Sequence, residues 1–314
     1  MHNIRVICTF ALATLLTATA ASAQAPAAPP AATFEVATVK PSAPGDPSNP
    51  LSMVPIAAPQ PGGRFRATNV PLKMLIGIAF DFQDFNNRVT GGPSALMGTR
   101  FDITAIAAGG ATLSQKALTP LLKNLLIERF KLKTHTEPRE MQVYDLVMAR
   151  SDGRLGPDIK PSKSDCSNAD ELNAARAEAL TKGDLSGVMA KPGEVLTCTV
   201  SPNVAGGPAN ISVHGDGQEI KQLIELLTQL TGRPIRDKTG LTGRYDFDMK
   251  LDLQTLLTMA RGMGMPVPAS VNLPQSDGSS LMTALNEQLG LKLDSVRAPM
   301  DVLVVDSAEA PAAD

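Results

Sequence analysis

A chain of 314 residues has room for two ordinary domains with apolar cores, and 29 basic against 31 acidic residues give it no field for gathering a polyanion. With no tryptophan and only two tyrosines it lacks the aromatic platforms on which bases stack, so nucleic acid is excluded as the expected partner. Beyond the N-terminal region, no stretch stays apolar for the ~20 residues that a membrane-spanning helix needs.

Residues 1–23 read as a signal peptide: a short basic MHNIR, an apolar VICTFALATLLTATA, then small residues at Ala21 and Ala23, with cleavage expected after Ala23. The mature protein is therefore expected in the periplasm or outside the cell. Residues 24–33 form an Ala/Pro linker. The first α+β unit is assigned to residues 34–150. FEVATVK (34–40) alternates as a strand; 41–63 is a long loop rich in Pro, Gly and Ser; RFRATNV (64–70) is a second strand. PLKMLIGIAFDF (71–82) follows as a helix opened by proline. RFDITAIA (100–107) alternates again, KALTPLLKNLLIERF (116–130) has helical spacing, and KLKTHTE (131–137) and MQVYDLVMAR (141–150) read as two strands.

Residues 151–194 read as a polar connector carrying a helix from about Asn168 to Lys182. The second unit, 195–306, holds strands at 195–200 and 210–215, an amphipathic helix at 219–232 and the alternating strand RYDFDMKL (244–251). An insertion at 252–278, a helix at 280–289 and strands GLKLDS (290–295) and MDVLVVD (300–306) complete it; 307–314 is a fraying tail. Laying LLKNLLIERFKLKTHTEPREMQVYDL on LMTALNEQLGLKLDSVRAPMDVLVV without a gap matches Glu128 with Glu287, Lys133 with Lys292 and Met141 with Met300. The expected architecture is thus two βαββαββ-like repeats packed side by side.

The mature chain keeps only Cys166 and Cys198. An even pair in an exported protein implies a disulfide, worth about 3.7 kcal/mol in the entropic model for a loop of about 32 residues. No C-x-x-C is present, so neither a redox centre nor a zinc site is indicated.

DKTGLTGRYDF (237–247) superficially resembles a phosphate loop, but its lysine precedes the glycines and a strand follows where a helix N-terminus is required. Gly240 and Gly243 read instead as turn residues. Its counterpart, GGPSALMGTRFDI (91–103), ends in the same Arg-aromatic-Asp triplet: Arg100, Phe101 and Asp102 match Arg244, Tyr245 and Asp246. On a strand the aromatic ring points inward while Arg and Asp share the other face, which suggests a same-face or cross-strand ion pair.

No catalytic, metal-binding or cofactor-binding residue is indicated. His135 and His214 have no ligand spacing, and neither G-x-S-x-G nor S-x-x-K occurs. The alternative to a non-enzymatic module is an envelope hydrolase whose site is assembled from Asp237, Arg244 and His214, which must then converge in one cavity.

FEVATVKPS, GGRFRATNVPLKMLI, RVTGGPS, LLIERFKLKTHTEPREMQVYDLVMA, GRPIRDKTGLTGRYDF and SLMTALNEQLGLKLDSVRAPMDVLVVD together resemble a soil-associated family of exported bacterial proteins of unknown function. ALMGTR (95–100) and the insertion at 252–278 depart from its pattern. The resemblance brings no catalytic or ligand residues; some relatives are associated with sensor-type membrane metallopeptidases, which implies envelope signalling. Each unit also looks like the small N-terminal domain of secretins and TonB-dependent transducers. The expected role is a binding or interaction module for an envelope protein or a small ligand.

Overall fold

The computed structural model describes residues 32–45, 54–82, 84–184, 196–203, 212–252, 257 and 280–312. The expected signal peptide, the linker up to Ala31, most of the insertion at 252–278 and residues 313–314 lie outside them. Helices and sheets mix in an α+β fold. Among the described residues no helix is long and apolar enough to cross a membrane.

The first sheet is built from β1 (Val36–Pro41), β2 (Ile56–Gln60), β3 (Arg64–Pro71) and β5 (Arg100–Ile106) in the order β1-β5-β3-β2, every neighbour antiparallel. The loop expected at 41–63 therefore contains a strand, β2. The expected alternation holds on β5, where Phe101, Ile103 and Ala105 are buried. On β3 it breaks after Ala67, where the register slips and turns Val70 inward. Against this face pack α1 (Leu72–Ala79) and α4 (Gln115–Phe130), with the one-turn α3 (Ser94–Met97) between them in the chain. The Ser114 hydroxyl caps α4 by accepting from the Ala117 amide (3.2 Å). Leu118, Leu121, Leu122, Leu125 and Leu126 form its buried stripe, and Phe130 meets the Phe101 ring edge-on at 4.9 Å. Each such fully buried side chain contributes about 1.5–3 kcal/mol.

A sheet of the same order lies in the second half: β7 (Ile159–Pro161), β11 (Arg244–Lys250), β9 (Ser212–Glu219) and β8 (Val200–Asn203), again antiparallel throughout. The registers correspond too. Pro41 faces Phe101 and Lys40 faces Asp102, as Pro161 faces Tyr245 and Lys160 faces Asp246. Val39-Lys40-Pro41-Ser42 and Ile159-Lys160-Pro161-Ser162 occupy the same place in the two sheets. The edge strand of the second half thus comes from the stretch expected as a connector. The rest of that stretch holds the expected helix, α5 (Ala169–Thr181), which lies along β2 of the first half; Gln60 donates to the Thr181 hydroxyl (3.4 Å) and Arg64 pairs with Glu178 (3.7 Å). The core under the second sheet is capped by α6 (Ile220–Thr231) and by α7 (Leu281–Ala284), which runs on into a π-helical turn at Leu285–Leu289.

Between the two lies a central sheet, β10-β6-β12-β4, that joins the halves. The strand pairs expected at 131–137 and 141–150, and at 290–295 and 300–306, are each one long strand: β6 (Lys133–Met148) and β12 (Leu291–Ser307). They pair antiparallel along their length, and the ladder is centred near Glu140 opposite Pro299. Pro138 and Pro299 lie inside these strands, and each stands where its strand has a neighbour on one side only: β10 (Ile235–Asp237) reaches only Tyr144 to Leu146, and β4 (Val89–Gly91) only Leu303 to Val305. A proline in such a stretch removes no ladder hydrogen bond from the uncovered side. The short strands cross over: β4 of the first half pairs parallel with β12 of the second, and β10 of the second pairs parallel with β6 of the first. The halves therefore do more than pack side by side; each completes the other's part of the sheet. A two-pronged bond from Arg236 to Asp145 (2.6 and 2.8 Å) ties one crossing. The other is flanked by α2 (Phe85–Arg88), from which Asn87 donates to the Gly232 carbonyl (2.7 Å).

Candidate functional site

The repeated Arg-aromatic-Asp triplet holds backbone. On β3, Asn69 is left-handed (φ 58°) at the register slip, so its peptide groups leave the ladder; its amide donates to Asp102 Oδ1 (2.9 Å) and its carbonyl accepts from Arg100 (2.8 Å). Ser42 also donates to Asp102 (2.6 Å). On β9 the same grip closes on Gly217 (φ 63°), through Asp246 (3.0 Å) and Arg244 (2.7 Å). Phe101 and Tyr245 point into the cores as expected. Acid and base thus supply the partners that a bulge takes from one residue, and in the second half Arg244 also makes a cross-strand ion pair of the expected kind, with Glu219 (3.3 Å).

The 237–244 loop satisfies itself. The Asp237 carboxylate accepts from the Thr239 amide (2.9 Å) and hydroxyl (2.8 Å), and the Thr239 hydroxyl accepts from the Leu241 amide (3.1 Å). Gly240 (φ 71°) and Gly243 (φ 92°) make the turns that side chains resist, as expected. The neighbouring N-terminus of α6 is closed by Glu219 and Gln222 in a reciprocal capping box.

Asp237 and Arg244 line one hollow of about 420 Å³ beside the start of α6, but His214 does not join them, so the three do not converge. Asp237 belongs to the central sheet, Arg244 is committed to Gly217 and to Glu219 (3.3 Å), and His214 faces Asp248, four residues further along β11 than Arg244, about 13 Å at the rise of a strand. His214 and Asp248 form a half-buried cross-strand pair at 3.5 Å. The hydrogen bond between them raises the imidazole above its ordinary pKa and lowers the carboxylate below its own.

Cys166 and Cys198 form the expected disulfide, buried against the bulge of β9. Asp216 beside it accepts from the Cys198 amide (2.9 Å) and the Ser164 hydroxyl (2.9 Å). The two sulfurs and an Asp216 oxygen lie within 4.8 Å of one another, but sulfurs bonded to each other are not the thiolates a metal requires.

Sequence reasoning missed a cleft of about 170 Å³ where the halves meet, bounded by the end of α1 and by α2 on one side and by α6, β10 and β12 on the other. Lys221, Ile224, Glu225 and Thr228 turn one face of α6 toward Asp81 and Asp84. The bases are engaged: Arg88 reaches Asp84 Oδ1 (3.5 Å), the Asp301 carbonyl (2.8 Å) and the Phe82 ring, and Lys221 reaches Asp81 (3.3 Å) and Glu225 (4.0 Å). The Asp84 side chain is only 6% exposed, and its Oδ2 is buried without a hydrogen-bond partner. Burial outweighs the nearby bases and pushes the carboxyl pKa of both Asp84 and Glu225 up. Carboxyl groups shifted by desolvation beside charged partners in a cleft are candidates for a functional site. The one trace in the sequence is Glu225 between Ile224 and Leu226, a charge beside the apolar stripe of α6.

A family model described as a protein of unknown function (DUF3738) matches residues 73–308. No curated protein matches the chain, and no solved structure matches it.

Proposed function

The chain belongs to the DUF3738 family, and on that footing we propose that it is an exported, non-enzymatic binding module made of two copies of one α+β unit, with its binding site in the cleft between them. The leader-like N-terminus and the disulfide support export, since such bonds persist in oxidising compartments. The shared strand order, the paired VKPS and IKPS edge strands and the twin Arg/Asp grips support duplication. The observation that carries the binding reading is Asp84 in the cleft wall. Among the described residues three buried side-chain oxygens lack a partner, Asp84 Oδ2, Thr90 Oγ1 and Asp248 Oδ1, and of these three residues Asp84 alone lines the cleft.

The test is native mass spectrometry of the mature protein purified from its own envelope without denaturation. A chain starting at Gln24 that carries a small molecule or a protein partner is expected, and filling the cleft with Ile224→Trp should remove it. A bare chain in every growth condition, or an adduct retained by Ile224→Trp, refutes the reading.

A further inference from the structure

We propose that α5 is a redox-released strap: the Cys166–Cys198 bond holds it over the free edge of β2, and reduction by a dithiol lets it go while both cores stay folded. β2 is the last strand of the first sheet and pairs with β3 alone, and along it lies α5, which belongs to the connector between the halves. Proteins cover such an edge because its unpaired backbone groups can pair with another chain. The cover is held lightly. Of the 13 residues of α5 only Ala174 is buried, whereas the 16 of α4 include six. Its two polar bonds to the first half, from Gln60 to Thr181 (3.4 Å) and from Arg64 to Glu178 (3.7 Å), are long and lie in its last turn. A polar helix of this length is marginal by itself, so its tether decides whether it stays.

Both feet of that tether stand at the disulfide. The Cys166 carbonyl accepts from the Ala169 amide at the start of the helix (3.2 Å). In mid-helix Arg176 donates to the carbonyl of Thr197 (2.8 Å), the residue before Cys198. α5 thus rides on a loop whose neck is the sulfur–sulfur bond, closed across a separation of 32 residues. Cutting the neck leaves the second sheet in place, because Asp216 still holds the Ser164 hydroxyl (2.9 Å) and the Cys198 amide (2.9 Å) to β9. In the exchange the dithiol gives two electrons and two protons: the Cys166–Cys198 bond breaks into two thiols on this chain, and one disulfide forms on the donor.

The experiment is hydrogen–deuterium exchange of the full mature protein, oxidised and after treatment with dithiothreitol, with a thiol titration counting the sulfhydryls released. Both thiols are expected to appear under native conditions, with the amides of α5 and β2 exchanging about tenfold faster or more and those of β5 and β11 unchanged. A double variant, Cys166→Ser with Cys198→Ser, should show the same pattern without any reductant. Ala174→Glu, which pushes the helix off while the disulfide stays closed, should speed exchange in β2 as well. A disulfide that dithiothreitol cannot reach in the folded protein, α5 and β2 equally protected once both thiols are free, or β9 and β11 opening together with α5 would each overturn the inference.

Discussion

Gly217 is where the two halves, alike in strand order, make unequal demands. Both halves put a left-handed residue at the bulge, Asn69 in one and Gly217 in the other, and both grip it with Arg and Asp. A Cβ on Gly217 would lie 2.4 Å from Cys166 Sγ. That sulfur is bonded to Cys198 and buried, so it is not free to swing aside. Gly217→Ala therefore suffers about 1–2 kcal/mol for a left-handed backbone and about 1–3 kcal/mol for overpacking, about 2–5 kcal/mol together. Urea unfolding of the mature protein measures it: at a slope of about 3 kcal/mol per molar, the midpoint falls by about 1 M. Gly217→Asn, which gives the second half the residue used by the first, should be at least as damaging. With Cys166→Ala and Cys198→Ala present the clash disappears, and only the backbone part, about 1–2 kcal/mol, should remain. A midpoint that does not move in Gly217→Ala, or a loss of equal size with and without the disulfide, would refute the reasoning.

Replacing Asp102 by Ala leaves the Asn69 amide and the Ser42 hydroxyl without their acceptor, and urea unfolding should show a loss of about 1–3 kcal/mol; a neutral result would mean that water or a neighbour replaces the carboxylate. The His214–Asp248 pair should impose a pH dependence of defined sign. A raised imidazole pKa stabilises fully below the ordinary value of about 6.5 and is lost as pH rises through the folded value; a lowered carboxyl pKa is lost as pH falls through its own folded value, below about 3.9. The stability difference between wild type and His214→Gln should therefore peak between about pH 4 and 6.5, at about 0.5–1 kcal/mol for a half-exposed pair, and a difference that is flat from pH 4 to 9 contradicts it. Because β4 and β10 are exchanged between the halves, Phe101→Ala in the first core, costing about 3–5 kcal/mol, should also speed amide exchange in β9 and β11 of the second. Unchanged protection there would show that the halves open independently.

The α+β class, the helices at 72–79, 115–130 and 220–231, the inward aromatics of the two triplets and the Cys166–Cys198 bond were legible in the sequence because each follows from a local rule. An amphipathic stripe repeats every three or four residues, a half-buried strand every two, and the two cysteines left in a chain read as exported have only each other. Tertiary structure alone decided the strand exchange. Three-residue strands such as β4 and β10 carry too few positions to show a period, and their partners are long strands of the other half. It also carried β6 and β12 straight through Pro138 and Pro299, since whether a proline breaks a strand depends on which side lacks a neighbour. The grip on Asn69 and Gly217 and the cleft of Asp84 and Glu225 have the same origin: their members are far apart in the chain and meet only when sheets pair. Local sequence determines which face of an element must be buried, while the partner that buries it is settled by competition among all the edges and faces of the molecule, and no short window of sequence contains that competition.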